Sequence, residues 1–334
     1  MLGQLIDTSQ WGSQEWLAAV IFAFIGVTIA VIIRRLFTLF FLSRRKRAAP
    51  NLRPLRRASS RSKKSFTRDF LRLGIVVLAL STLAPRSTLA IIVRHDQPPG
   101  VYEIRASEMP AVFFLELQGR RKVCVATLIH AQWALTAAHC LEQTSLAFSL
   151  AKEKPFAVTV AGEARLIDRV SVHPLYDQLS AQDVDLALLH FSEPLAFPQP
   201  LALAELPATV GQQVRLIGWG YTGQGLTGRD RDDGRLRRAS NRLSAVGSRL
   251  QITFDDPRSD SANTEDLEGM PSLGDSGGPA LVYFQGQPYV VGITVGEIMG
   301  ADFSEETQGR YGSVAVYEDV RRHRDWLHAV IGED

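Results

Sequence analysis

Three side chains could act together in this chain: Ser276, His139 and Asp185. Ser276 lies in GDSGGP (274–279), His139 in LTAAHC (135–140) and Asp185 in DVDLALL (183–189). A serine hydroxyl is a weak nucleophile until a base within hydrogen-bond reach takes its proton and a third group orients that base. Taken alone, GDSGGP reads equally well as a glycine turn that happens to hold a serine. His139 stands among small alanines, after the apolar run ATLIHAQWALT, where a strand would break into a short turn. Asp185 is enclosed by Val184 and Leu186. A buried carboxylate is costly unless hydrogen-bonded, and an imidazole N–H would satisfy it. Asp183 reads as a turn acid at a strand edge.

The surrounding pattern is one of short β-rich runs split by Gly, Pro and Asp. They include AVFFLEL (111–117), FAVTV (156–160), ARLIDRVSV (164–172), QQVRLIGWG (212–220), SRLQITF (248–254), ALVYF (280–284) and PYVVGITV (288–295). Such spacing predicts an all-β sandwich or barrel architecture. The tail VRRHRDWLHAVI (320–331) places Trp326, Leu327 and Val330 at helical spacing, which predicts one amphipathic C-terminal helix.

Charge is distributed unevenly along the 334 residues. The total is +2, yet residues 34–72 hold fourteen Lys and Arg against Asp69, whereas residues 91–334 carry a net −10. Between Arg44 and Lys64 the basic stretch has no aromatic residue, which argues against a nucleic-acid-binding face. Before it runs WLAAVIFAFIGVTIAVII (16–33), uncharged and long enough to span a membrane. After it comes LGIVVLALSTLA (73–84), short for a span but suited to a signal-peptide core. Thr88-Leu89-Ala90 then offers small residues for a cut before Ile91. The expected organisation is a transmembrane segment over 1–43, a basic disordered cytoplasmic linker over 44–72, a signal-like segment over 73–90, and a globular domain over 91–334. The positive-inside rule keeps the basic loop in the cytoplasm and carries the domain out. Residues 1 to about 60 read alternatively as an extension upstream of an ordinary signal peptide. Cys124 and Cys140 are the two cysteines; they form one disulfide or remain two buried thiols, and an oxidising compartment favours the disulfide. No His/Cys cluster has metal-ligand spacing, so neither a metal nor a cofactor is expected.

LTAAHC, DVDLALL and GDSGGP, in that order, resemble the histidine, aspartate and serine motifs of the trypsin/chymotrypsin-like serine endopeptidases, here in the manner of a bacterial-type secreted member. HPLYD (173–177), GWG (218–220), the Cys124–Cys140 spacing and the DWL near the C-terminus add to the likeness, which spans roughly residues 105–330. The resemblance implies two six-stranded antiparallel barrels with a C-terminal helix. It implies that Ser276 attacks the scissile carbonyl, His139 moves the proton and Asp185 orients the imidazole. It makes the N–H groups of Gly274 and Ser276 an oxyanion hole, and makes Asp275 the partner of an ammonium freed at Ile91. Met270 would floor the specificity pocket, where the trypsin branch keeps an aspartate, with Thr294 and Gly296 on the opposite wall. Ser272 replaces a family cysteine, and Glu297 or Glu268 could supply charge. Strict Arg/Lys preference is therefore not expected. The expected partners are protein or peptide substrates and, through the N-terminal segments, a membrane, with the domain itself monomeric. Two rival readings are an inactive trypsin-like binding module and a membrane-anchored sensor or scaffold.

Overall fold

The computed structural model describes residues 91–332, apart from 118–120, 178–179, 181, 260–262 and 299–306. The chain divides into two units, residues 1–84 and 85–334, and every described residue belongs to the second. The expected membrane segment, basic linker and signal-like segment lie outside the described residues. Among the described residues no helix is long and apolar enough to cross a membrane.

The strands, in chain order, are β1 (Ile91–Val93), β2 (Val112–Leu117), β3 (Arg121–His130), β4 (Trp133–Thr136), β5 (Phe156–Val160), β6 (Glu163–Val172), β7 (Ala187–Phe191), β8 (Ala202–Leu203), β9 (Gln213–Gly218), β10 (Thr222–Gln224), β11 (Gly228–Arg231), β12 (Arg237–Val246), β13 (Arg249–Thr253), β14 (Gly269–Met270), β15 (Pro279–Phe284), β16 (Gln287–Glu297) and β17 (Val314–Asp319). Among the described residues three α-helices accompany them: α1 (Cys140–Gln143), α2 (Leu146–Leu150) and α3 (Arg324–Gly332).

Six strands form the first sheet, in the order β2-β3-β4-β7-β6-β5, all antiparallel. In the second, β15-β9-β12-β13-β17-β16 closes on itself through a β15–β16 pairing, and β8 adds a seventh strand, parallel to the outer side of β16. The expected six-stranded ring is thus present with one short appended strand. Alternation builds it: in β9, Val214 and Leu216 are buried while Gln213 and Arg215 face water, the period-two signature of a half-solvated sheet.

Each sheet wraps its own core. Phe113, Leu115, Val125, Trp133, Leu135, Leu188 and Phe191 fill the first; Leu216, Leu243, Leu250, Ile252, Phe254 and Tyr317 fill the second. Helix α3 forms where the tail predicts one, after a 3-10 turn over Val320–His323, and buries Leu327 against the first core.

A third, four-stranded sheet, ordered β11-β10-β1-β14, sits beside the second core. Its β1 runs parallel to β10 and antiparallel to β14, and Ile91, Ile92 and Val93 are all buried. The start of the domain is therefore an internal strand.

Candidate active site

Strand β4 ends at Thr136, and a turn carries the chain through Ala137 and Ala138, both buried, to His139, from which α1 starts. Small residues allow this turn to pack inside. Cys140 is joined to Cys124 by a disulfide, which ties the turn to β3 and resolves the two sequence alternatives for these cysteines. Their sulfurs lie close to the His139 ring, but the disulfide leaves neither as a thiolate for a metal.

Asp185 lies just before β7 and is buried, as its apolar neighbours imply. It meets His139 at two points. The main-chain N–H of His139 donates to Oδ1 at 2.9 Å, and Nδ1 of the ring stands 2.5 Å from Oδ2. This two-point contact fixes both the position and the tilt of the imidazole, leaving Nε2 on the far side of the ring.

Ser276 lies in the turn before β15. Its carbonyl accepts from the N–H of Val125 in β3 at 2.7 Å, so the serine segment of the second sheet is pinned to the first. Gly277 is required here twice over: its φ is +78°, and a Cβ would come within 2.2 Å of Thr136 Oγ1. His139, Asp185 and Ser276 line one cavity of about 380 Å³ between the sheets. The Ser276 hydroxyl shares this space with the imidazole; among the described residues no hydrogen bond joins the two.

The amides around Ser276 divide into two sets. Those of Asp275, Gly277 and Gly278 donate to Ser272, Thr294 and Asp275 carbonyls at 2.9, 2.7 and 2.9 Å. Those of Gly274 and Ser276 donate to nothing among the described residues. Gly274 has φ +97°, a conformation that only glycine adopts without strain.

Asp275 points away from the cavity. It is buried, and its carboxylate accepts from the N–H groups of Gly220 (2.6 Å) and Ser272 (2.9 Å). Gly218 and Gly220 make room for it; a Cβ on Gly218 would fall 1.9 Å from Oδ1. Burial pushes its carboxyl up to about 7, against the two amide hydrogen bonds. No cation pairs with it among the described residues. Gly220 lies two residues before β10 and Ser272 two residues after β14. These are the strands that flank β1, whose Ile91 end runs toward both. Ile91 itself has φ +55°, a strained value for a β-branched residue.

Thr294 and Gly296, expected at a pocket wall, line the cavity, and so do Ser272 and Glu297. Met270 is not among the lining residues; it is buried in β14, paired with Ile92. Glu268 is also elsewhere, holding the Asp255 and Glu265 amides, and burial pushes its carboxyl up to about 7. The motifs gave no signal for Gln143, Pro271, Leu273, Val295 and Gln308, which also line the cavity.

An imidazole held by a buried carboxylate, beside a serine on a tight glycine turn, in a cleft between two antiparallel barrels, is the arrangement of the chymotrypsin-like proteins. The trypsin family's sequence model matches residues 99–327, and the chain belongs to that family of serine proteases. Vitamin K-dependent protein C from rabbit is 30% identical over 69% of this chain and 51% of its own length; the rat protein is 28% identical over 65% and 48%. The chain spans about half the length of these curated relatives. Mouse serine protease 28 is 24% identical over 76% of this chain and 93% of its own. Among solved structures, mouse neuropsin, a serine protease, superposes with TM-score 0.50 at 20% identity, covering 69% of this chain and 98% of its own.

Proposed function

We propose that the domain over residues 91–334 is a serine endopeptidase acting outside the cytoplasm. The observation that carries this reading is the double hydrogen bond that His139 donates to Asp185 in a cavity that also exposes Ser276. In the proposed cycle, Ser276 Oγ attacks the scissile carbonyl carbon while His139 Nε2 takes its proton. Asp185 holds Nδ1–H and stabilises the imidazolium. The carbonyl oxygen becomes an anion, and the unengaged N–H groups of Gly274 and Ser276 are the donors suited to receive it. Collapse expels the amine, which takes the proton from His139 and leaves an acyl-enzyme at Ser276. Water, deprotonated by the same imidazole, then releases the acid. A fluorophosphonate probe tests this: wild type labels and Ser276→Ala does not, whereas a wild type that stays unlabelled refutes catalysis and favours the inactive binding module.

Activation is proposed to follow cleavage before Ile91. The freed ammonium would reach Asp275, a buried carboxylate at the end of β1 that forms no ion pair among the described residues, and would release the strained φ of Ile91. N-terminal sequencing of the processed protein checks this, with any start other than Ile91 counting against it. The Cys124–Cys140 disulfide supports an oxidising, extracytoplasmic location. Attachment through residues 1–90 is the membrane part of the proposal, and recovery of a soluble fragment on fractionation would show release. Specificity is proposed to be other than strict Arg/Lys, because Met270 stands where the trypsin branch keeps its aspartate and lies outside the cavity, whose acid apart from Asp185, Glu297, stands on its wall.

A further inference from the structure

A cluster of charges lies behind Asp185 on the side away from the cavity, and the cycle above does not use it. Glu318 in β17 is buried, although the surrounding run VAVYED is a strand of the second core. Its Oε1 accepts from the main-chain N–H of Asp185 at 3.0 Å. Directly across the β13–β17 ladder stands Arg249. The Arg249 Nε donates to Glu318 Oε1 at 2.8 Å, and its Nη2 donates to the Asp183 carbonyl at 3.0 Å and to Asp183 Oδ2 at 3.3 Å. His323 stands 3.7 Å from the other Glu318 oxygen, at ion-pair distance. Two strands of the second barrel thus grip both ends of Asp183-Val184-Asp185, a segment that leads into the first barrel.

A carboxylate placed on the main chain of another buried carboxylate is unfavourable unless a cation compensates it. Arg249 is that cation, and it also ties down Asp183. We propose that Glu318 and Arg249 are positioning residues for the reaction, a clamp between the barrels that sets where Asp185 meets His139. The proposal rests on the serine endopeptidase reading only for its effect on turnover; its effect on the Asp185–His139 contact stands apart.

The test uses the full chain carrying Glu318→Gln, Arg249→Met or Arg249→Lys. Two readouts are taken: kcat and KM on a peptide substrate, and the low-field proton resonance of the His139 Nδ1–H···Asp185 bond. Displacing a catalytic group by a fraction of an ångström to an ångström lowers rate without touching substrate affinity, so kcat should fall about 10- to 100-fold with KM unchanged. The resonance should shift or broaden in Glu318→Gln and Arg249→Met, with Arg249→Lys recovering part of both signals. Folded variants with kcat within about twofold of wild type and an unmoved resonance overturn the clamp, as does a loss confined to KM. Should Glu318→Gln fail to fold, the Arg249 pair decides, since that side chain is partly exposed and its removal leaves the strand intact. A wild type inert to the fluorophosphonate probe refutes the endopeptidase reading alone, because the resonance still reports on the clamp.

Discussion

Asp275 carries a sharp pH signature. In the chain still joined ahead of Ile91, its carboxyl is raised to about 7, first by burial and against its two amide bonds. A carboxyl whose folded value exceeds its unfolded one contributes stability below the ordinary value near 3.8, and that stability drains as pH rises toward 7. Urea unfolding of the unprocessed chain should therefore show stability falling between pH 4 and pH 7, by at most roughly 4 kcal/mol, with Asp275→Asn flattening the trend. If activation follows the proposed cleavage, freeing Ile91 should supply an ammonium, hold the carboxyl low and reverse the slope. A second outcome at this scale concerns Asp185→Asn, which keeps shape but loses the anion. It should lower kcat by about 10⁴-fold, the magnitude that the trypsin family's own triad aspartate carries, while leaving the thermal midpoint little changed.

At the level of elements, the disulfide and the C-terminal helix hold the histidine turn and the first barrel. Cys124 and Cys140 are 16 residues apart. Replacing both by serine should cost about 3 kcal/mol in the chain-entropy account, seen as a lower urea midpoint and mimicked by reductant. Leu327 is the fully buried residue of α3. Leu327→Ala should cost about 2–5 kcal/mol through the cavity it leaves. Elements with clean alternation or helical spacing were legible in the sequence: FAVTV coincides with β5, and the DWL tail with α3. Strand β12 was not, because its inward positions include Arg237 and Asn241, polar residues satisfied by partners distant in sequence such as Glu103 and the Gly269 carbonyl. Hydropathy cannot anticipate such partners. Likewise His139, Asp185 and Ser276 stood out through their neighbours, whereas Glu318 looked like one more acid at a strand end until β13 brought Arg249 opposite it.

For the whole molecule, the two barrels share their chemistry rather than dividing it. The first supplies the imidazole and its carboxylate, and the second the serine turn. Specific joints include Val125 to the Ser276 carbonyl, Gly277 against Thr136, and Glu318 on Asp185, and Ile217, Leu281 and Ile293 of the second barrel pack into the first core. The three-residue strand β1 is as important for closure. Removing Ile91–Val93 takes three buried apolar side chains out of the second core. At about 1.5–3 kcal/mol each, the loss should exceed 4 kcal/mol and be visible as early unfolding of the β9–β17 half in hydrogen exchange. The ring plus one strand was foreseen only as a ring, since β8 is two residues long and is fixed by its neighbour β16 rather than by its own pattern.

Strand β1 is made first, yet its partners, Thr222–Gln224 and Gly269–Met270, are among the later parts to leave the ribosome. During biosynthesis the greasy Ile-Ile-Val start of the domain must wait, unpaired, until β10 and then β14 have been made. Chaperone capture and stray trimming compete with docking throughout that interval, and slow long-range closure makes the interval long.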